Sequence, residues 1–324
     1  METVKKIRTK LLYNENDVTA DFSNYLQSIV YKDFEEDESD EITVTLKDND
    51  KLFQNGWYPE KGAKLSLTIG YDNSENFLNC GTFTIDENLF NFSPYGDTLE
   101  IRGLAATINE PLRMVNTDYY EKTSLFEIAE KIAEKYHLEV IKGTKDIQIE
   151  RVNQVQENDL AFLRRISKDY GYMFKITDNF IVFLETDREK LPLFTLTKQD
   201  IREFEILDSS TNIFKECRVD YFNPETKKLC TFTATQDIGS GTLKIRQKCT
   251  SKEQAKLIAE ANLKTQAKEV TCRIILREGN PYFMAGVSFN IAGFGRFDGT
   301  YHIKNSTHKV SNSGWEVFGE AEKC

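Results

Sequence analysis

The sequence predicts a β-rich α+β protein, with antiparallel β regions of the sandwich or barrel type on both sides of a small α+β module. Apolar and polar residues alternate with a period of two in the first hundred residues and again after residue 193, and helical apolar stripes lie between these regions. We therefore expect a first β-barrel domain at 1–105, an α+β module at 106–192, and a second β-barrel domain at 193–324 with a helix at about 251–268.

The first β domain contains strands that alternate strictly. Residues 41–47 (EITVTLK) place Ile42, Val44 and Leu46 on one face and threonines on the other, and residues 64–70 (KLSLTIG) repeat the scheme. Such strands bury one face and expose the other to water, as in an antiparallel sandwich or barrel.

Two helices define the α+β module. The first can be capped by Thr123 or Ser124, and its single apolar stripe consists of Leu125, Ile128, Ala129, Ile132, Ala133 and Tyr136. The second begins at Asn158 or Asp159 and stops at Gly171, a residue suited to the position after a helix. Short strands at 172–176 and 180–184 complete the module.

The second β domain resumes the alternation. Ser251 and Gln254 have the spacing of a capping box and predict the start of its helix. The strands are predicted at 214–221, 229–234, 243–246, 270–276, 287–291, 300–304 and 315–318.

Two short stretches of the β domains are similar to each other. Residues 81–86 read GTFTID and residues 299–304 read GTYHIK, and each follows a proline, a glycine and a strand in the same order. Glycines at strand ends are common, so chance similarity is one explanation. The shared order favours a duplicated β domain, in which Phe83 and Tyr301 superpose.

Composition excludes several classes of function. The 324 residues carry a formal net charge of −10 and no strong cluster of Lys and Arg, so specific nucleic-acid binding is not expected, although a passage for DNA is compatible. The basic N-terminus is not followed by an apolar run, and no segment approaches 18 consecutive apolar residues. The six cysteines have no zinc-ligand spacing and are expected to be reduced thiols, as in a protein made in the cytosol.

No catalytic, cofactor-binding or metal-ligating residue is assigned, and no enzyme is expected. The acidic run 33–41 (DFEEDESDE) could supply calcium ligands, but it lacks a calcium-loop pattern and predicts a solvated surface loop. His137 is expected at the surface near a helix end. His302 and His308 would share one face of a straight strand, without further ligands at metal spacing, and are interpreted as structural or surface residues.

Several short motifs follow one another along the chain: residues 38–48 (ESDEITVTLKD), 57–62 (WYPEKG), 156–171 (QENDLAFLRRISKDYG), 299–303 (GTYHI), His308 and 313–315 (SGW). In this order they resemble the phage late control gene D family of baseplate or tail hub proteins. Asn158 and Ser167 stand where the family usually has Ser and Ala, and both changes are mild because Asn also caps helices.

The resemblance implies a structural hub of a contractile phage tail or a related injection device, located in the virion baseplate and made in the host bacterial cytoplasm. It implies a homotrimer in which each subunit has two tail-tube-like barrels, so that six barrels meet the sixfold tail tube and the trimer meets the threefold central spike. Tail tube, spike and other baseplate proteins would be partners.

Two other classes remain as alternatives. A phage-associated adhesin or carbohydrate-binding β protein is suggested by the many aromatic residues in strands, since the chain has 22 Phe and 14 Tyr. A tail-attached cell-wall hydrolase is the third class. We expect this chain to have no additional segment that could house such a hydrolase domain. A glycan screen and a peptidoglycan-clearing assay would distinguish these classes from a hub.

Overall fold

A computed structural model gives the fold of this chain. It describes residues 5–36, 38–105, 114–177, 180–186, 191–209, 213–223, 227–246, 249, 251–265 and 270–324. Contacts divide the chain into two compact units. Unit 1 comprises Met1–Thr107, Lys190–Ile206 and Cys272–Cys324, and unit 2 comprises Ile108–Glu189 and Leu207–Thr271.

The strands of the described residues are β1 (Ile7–Tyr13), β2 (Asn16–Asp17), β3 (Leu26–Phe34), β4 (Glu41–Lys47), β5 (Lys64–Tyr71), β6 (Phe77–Asn91), β7 (Thr98–Leu104), β8 (Val115–Ser124), β9 (Glu139–Lys142), β10 (Gln148–Asn158), β11 (Tyr172–Thr177), β12 (Phe180–Glu185), β13 (Pro192–Thr197), β14 (Ile201–Asp208), β15 (Glu216–Asn223), β16 (Lys228–Thr235), β17 (Thr242–Arg246), β18 (Val270–Leu276), β19 (Ser288–Ala292), β20 (Gly299–Ser311) and β21 (Gly314–Lys323). The helices are α1 (Thr19–Ser23), α2 (Leu125–Lys135), α3 (Asp159–Tyr170) and α4 (Lys252–Thr265), with a short 3₁₀ turn at Gly295–Phe297. The strand-rich character predicted from the sequence is confirmed.

Unit 1 is built on one sheet that combines strands from both ends of the chain. Its strand order is β14-β18-β21-β20-β3-β4-β7-β6-β5-β1-β2, and β19 pairs with both β20 and β13. The alternating strand β4 buries Ile42, Val44 and Leu46 completely, as its pattern predicts. Each such side chain contributes about 1.5–3 kcal/mol when it leaves water, so the buried face holds the unit together.

Unit 2 contains three small sheets and the longer helices. The strand orders are β10-β8, β11-β12-β9 and β16-β15-β17. Ser124 caps α2 in a full capping box with Glu127, and Asn158 caps α3 through its side-chain oxygen and the Ala161 N–H. Gly171 ends α3 in the left-handed conformation with φ 75°, as its position predicts.

The contact-defined units group the chain differently from the three consecutive domains predicted above. Residues 207–271 group with the α+β module, while residues 272–324 group with the first 107 residues. One reason is visible in α4, which packs against α3, and Gln254 Nε2 donates to Tyr170 Oη at 2.6 Å. The described residues do not include 106–113 or 266–269. The predicted domain boundary between 105 and 106 adjoins the first of these stretches, and the predicted helix end at 268 lies in the second.

Candidate functional site

The two similar stretches, GTFTID and GTYHIK, lie in strand pairs with the same backbone hydrogen bonds. In the first pair, Gly62 N–H donates to Ile85 O at 2.8 Å and Ile85 N–H donates to Ala63 O at 2.9 Å. In the second pair, Gly286 N–H donates to Ile303 O at 2.8 Å and Ile303 N–H donates to Val287 O at 2.9 Å. The similarity in sequence therefore corresponds to the same local structure.

The aromatic residue of each stretch has the same strand partner position. Phe83 on β6 lies opposite Leu65 on β5, and Tyr301 on β20 lies opposite Phe289 on β19. Leu65 lies three residues after Gly62, as Phe289 lies three after Gly286, and both aromatic side chains are fully buried. Phe83 and Tyr301 thus occupy equivalent places in the register, in agreement with the expected superposition.

The correspondence extends to the next strand pair. Each residue pair between β6 and β7 has a counterpart between β20 and β21 in which both residue numbers are higher by 218. The first pair, Thr84↔Leu104, corresponds to His302↔Glu322, and the last pair, Asn91↔Thr98, corresponds to Lys309↔Glu316. Both pairs also shift register at the equivalent place, after Ile85 and after Ile303. A bulge conserved in position between two strand pairs is a specific feature that chance does not explain.

The strand order repeats as well. The order β3-β4-β7-β6-β5, here called the first repeat, matches β14-β18-β21-β20-β19, here called the second repeat. The alternating burial of β4 also recurs on β18, which buries Cys272, Ile274 and Leu276. The likeness ends at the next strand, because β1 pairs antiparallel with β5 whereas β13 pairs parallel with β19.

The two repeats are joined edge to edge within the sheet. Residues 305–311 of β20 pair antiparallel with residues 28–34 of β3, from Asn305↔Phe34 to Ser311↔Ser28. Beyond the ladder, Glu35 N–H donates to Lys304 O at 2.9 Å. The internal junction therefore connects segments that are about 270 residues apart in the chain.

A buried ionic cluster stabilises this junction. Glu35 Oε1 lies 2.6 Å from His302 Nε2, and Lys304 Nζ lies 2.5 Å from Glu35 Oε2 and 2.7 Å from Glu36 Oε1. Burial alone would raise the pKa of Glu35, but the His302 hydrogen bond and the Lys304 charge outweigh it and lower that pKa to about 2. The carboxylate is therefore held ionised between the two repeats.

This cluster contains the residue types of a hydrolase triad but not its arrangement. Ser288 Oγ lies 2.9 Å from His302 Nδ1, and Glu35 lies on Nε2. In a serine hydrolase the nucleophile lies on Nε2 and the acid on Nδ1–H. The Ser288 side chain is also buried, so a substrate could not reach its hydroxyl. The arrangement supports a structural role for the three residues.

The bulge separates the two histidines of β20. His302 and His308 would share a face if the strand ran straight, but the register shift after Ile303 inverts the alternation of the following residues. His302 contacts Glu35 and Ser288, whereas His308 contacts Phe283, Trp315 and Tyr31. Both histidines are buried. His137 lies just beyond α2 and is exposed, as expected.

The acidic run 33–41 is not the solvated loop that its charge predicts. Asp33, Glu35 and Asp40 are each at most 6% exposed. Asp33 Oδ2 accepts a hydrogen bond from Ala285 N–H at 2.7 Å, and Asp40 Oδ1 accepts one from Phe34 N–H at 3.0 Å. The expectation was wrong for these residues. Strand pairing brings distant donors to Asp33 and Glu35 from residues 285–304, and Asp40 is satisfied locally by the Phe34 N–H.

Unit 2 contains a buried acid, Asp159, that the sequence patterns singled out only as a possible helix start and as part of the motif at 156–171. Asp159 is 2% exposed, and its carboxylate accepts hydrogen bonds from Gln154, Lys135, Tyr136 and Asn116 at 2.5–3.2 Å. Burial would raise its pKa, but these hydrogen bonds lower it. The network therefore ties α2, α3, β8 and β10 together.

The remaining features carry no assigned chemistry. All six cysteines are free thiols, and burial raises the pKa of Cys272 to about 12. Within the described part of the chain, no group of three or more His, Cys, Asp or Glu residues could hold a metal ion. Within the same residues, no helix is long and apolar enough to cross a membrane.

The fold and its repeated strand sets define a class of protein, which comparison with solved structures identifies. The chain superposes on a tail protein from Neisseria meningitidis MC58 with a TM-score of 0.74, at 12% identity, over 98% of this chain and 96% of that chain. It superposes on the 43 kDa tail protein of prophage MuSo2 from Shewanella oneidensis with a TM-score of 0.73, at 14% identity, over 98% of both chains. The fold is that of phage tail proteins.

Sequence comparison gives more particular relatives. The chain is 29% identical over 198 residues to the probable baseplate hub protein of Escherichia phage 186, covering 59% of this chain and 49% of the relative. It is 29% identical over 199 residues to the probable baseplate hub protein of Escherichia phage P2, covering 59% and 50%. The match spans about half the length of these curated relatives, and no protein-family model matches the chain.

These comparisons confirm the resemblance to phage baseplate hub proteins. A solved Escherichia coli component of the type VI secretion system also has this fold, with a TM-score of 0.57 at 12% identity over 98% of this chain and 77% of that chain. The names of these proteins describe structural parts of tails and secretion devices and not enzymes, in agreement with the prediction that this chain is not an enzyme.

Proposed function

We propose that the chain is a structural baseplate or tail hub protein of a contractile phage tail or a phage-tail-like particle. In this proposal, three copies form a ring in the virion baseplate that adapts a sixfold tail tube to a threefold central spike. The observation that supports the proposal most directly is the repeated register, in which β6–β7 and β20–β21 correspond at a constant spacing of 218 residues.

The repeats give a physical reason for a trimer. A ring closes when each contact around it is equivalent to the next. A subunit with one tube-like unit would offer three such units in a trimer, but a subunit with two repeats offers six. Each repeat would correspond to one tail-tube-like barrel, as the resemblance implies. The tail tube protein, the spike protein and other baseplate proteins are the proposed partners, and DNA passes through the ring without specific recognition.

The mass of the purified assembly tests the proposal. Native mass spectrometry of the full chain should give a trimer, and co-expression with the tube and spike proteins of the same particle should give a complex that contains all three. A chain that stays monomeric and binds neither protein would contradict the proposal. A defined glycan ligand together with no tube binding would instead support the adhesin class.

A further inference from the structure

Among the described strands of unit 1, two strand edges do not pair with a further strand, whereas their counterparts do. On the side away from β21, β20 pairs first with β19 and then, over residues 305–311, with β3. On the side away from β7, β6 pairs with β5 as far as Thr84, and within the described residues no strand pairs with its residues 87–91 on that side. We call residues 87–91 the β6 edge.

The second edge belongs to β14. In the described sheet, β14 is the terminal strand and pairs only with β18, whereas its counterpart β3 pairs with both β4 and β20. The β6 edge therefore corresponds to the edge of β20 that pairs with β3, and the outer edge of β14 corresponds to the edge of β3 that pairs with β20. Strand edges of this kind are templates for pairing with another chain.

The backbone of the β6 edge has donors that point outward. The Glu35 N–H donates to Lys304 O, so the C=O group of Lys304 faces β3. Since successive residues of a paired strand face opposite neighbours, Ser306 and His308 also direct their N–H and C=O groups toward β3. Subtracting 218 places Asn88 and Phe90 at the positions of Ser306 and His308. The amides of Asn88 and Phe90 consequently point away from β7.

Side-chain burial differs between the two repeats in the way that a missing strand would produce. Ser306 and His308 are 1% and 0% exposed in the part of β20 that pairs with β3, and the ring of His308 stacks on Tyr31 of β3. Their counterparts Asn88 and Phe90 are only half-buried, and the neighbouring Leu89 is 47% exposed. Nearby Phe92 and Tyr95 are also exposed, so the β6 edge is flanked by apolar surface that a neighbour could cover.

We infer that β14 of one copy of this chain pairs antiparallel with the β6 edge of a second copy. This contact repeats the β3–β20 junction between chains, so the same edge-to-edge geometry alternates within and between subunits. The occupant is a second copy because β14 is the counterpart of β3, the strand that covers the equivalent edge in the same chain. Such head-to-tail contacts form a ring when the rotation closes. The inference rests on the proposed trimer and specifies its interface.

Photo-crosslinking tests the identity of the paired strands. A photoreactive phenylalanine analogue replaces Leu89 in one preparation and its counterpart Thr307 in a matched control, and each is mixed with isotopically labelled chain before assembly. Position 89 should crosslink to residues 201–208 of a different copy. Position 307 should crosslink to residues 26–34 of the same copy, since β20 and β3 already pair there.

A proline substitution tests the role of the backbone. Asn88→Pro removes an outward N–H and leaves the β7 ladder in place, as proline is tolerated at a strand edge. Asn88→Ala is the control, because it keeps the N–H and loses only the side-chain hydrogen bond to Pro59 O. Asn88→Pro should raise the protein concentration for half-maximal assembly by about tenfold or more, because it removes a backbone hydrogen bond of the interface. Asn88→Ala should change this concentration much less.

The outcomes separate the interface from the proposed function. A trimer whose position 89 crosslinks between copies to a segment other than 201–208 would overturn the interface and leave the proposed hub intact. If Asn88→Pro assembles at the same concentration as the unchanged chain, and circular dichroism shows that both are folded, the proposed interface is also overturned and the proposed hub is left intact. A monomer at all concentrations that also fails to bind tube and spike proteins would overturn both.

Discussion

His308 shows how a polar residue is accommodated in the core of unit 1. Its Nε2 lies 2.9 Å from Phe283 O and so donates, while its Nδ1 accepts a hydrogen bond from Trp315 Nε1 at 3.3 Å. Both ring nitrogens are satisfied only in the neutral form, because a proton on Nδ1 would oppose the Trp315 N–H. Burial accordingly lowers the pKa of His308 to about 4. The sequence placed this histidine on a strand, but its burial depends on Phe283, Trp315 and Tyr31.

The pKa of His308 predicts a pH dependence of stability. The unfolded side chain titrates near pH 6.5 and the folded one near pH 4, so between these values the unfolded state binds the extra proton. The free energy of unfolding should therefore be unaffected by His308 above pH 6.5 and should fall by up to about 3 kcal/mol as the pH drops from 6.5 to 4. Urea unfolding at several pH values measures the change.

His308→Gln provides the comparison for this measurement. Glutamine can still donate to Phe283 O but does not titrate, so the variant should lose the part of the slope between pH 6.5 and 4. Glu35 contributes separately, since its pKa of about 2 means that its stabilisation is full above pH 4.5 and lost below it. Identical slopes for the variant and the unchanged chain above pH 4.5 would contradict the assignment to His308.

At the scale of elements, the strand pairs that begin after Gly62 and Gly286 share one turn geometry. Gly62 has φ 85° and Gly286 has φ 79°, and each is followed by a residue whose N–H closes the turn at 3.2 Å, to Glu60 O and Met284 O respectively. A left-handed φ is strained for residues with a Cβ atom. Alternation in the sequence predicted these strands, and the shared order of glycines indicated that the two regions are similar. No local sequence pattern indicated the bulges after Ile85 and Ile303.

Equal costs are expected for alanine at the two equivalent glycines. Gly62→Ala and Gly286→Ala should each lower the free energy of unfolding by about 1 kcal/mol, because alanine is forced into the left-handed region. An added Cβ at Gly62 has no atom within 4 Å, so the cost there is conformational and not steric. Chemical denaturation of both variants gives the two values.

Gly56→Ala is the matched control for the glycine variants. Gly56 also has open space around an added Cβ but no left-handed φ, so its substitution should change stability by less than about 0.5 kcal/mol. A cost at Gly56 as large as at Gly62 would show that loss of glycine in general, and not the φ value, determines the effect.

At the scale of the whole molecule, the two repeats share one continuous sheet in unit 1. The junction between β3 and β20 and the cluster of Glu35, His302 and Lys304 make each repeat a structural neighbour of the other. We expect them to unfold as one cooperative unit, since a sheet that loses a central strand pair exposes edges and core on both sides.

Hydrogen exchange of a core variant tests this cooperation. Ile29 lies on β3 and is 1% exposed, so Ile29→Ala should cost about 3 kcal/mol. Amide protection should then fall in β18 and β21 of the second repeat as well as in β4 and β7 of the first. Val30→Ala, on the half-buried opposite face of the same strand, should leave protection in β18 and β21 nearly unchanged. Loss of protection confined to the first repeat would show that the repeats unfold separately.

The sequence by itself determined the local structure of this protein and its resemblance to phage hub proteins. Alternation, helix caps and turn glycines act over a few residues, so β4, the caps Ser124 and Asn158, and the two similar strand stretches could be predicted from neighbouring residues alone. Only the tertiary structure decided which segments pair over long distances. The burial of Asp33 and Glu35, the opposite faces of His302 and His308, and the grouping of α4 with α3 all depend on partners far away in the chain, whose positions no local pattern encodes.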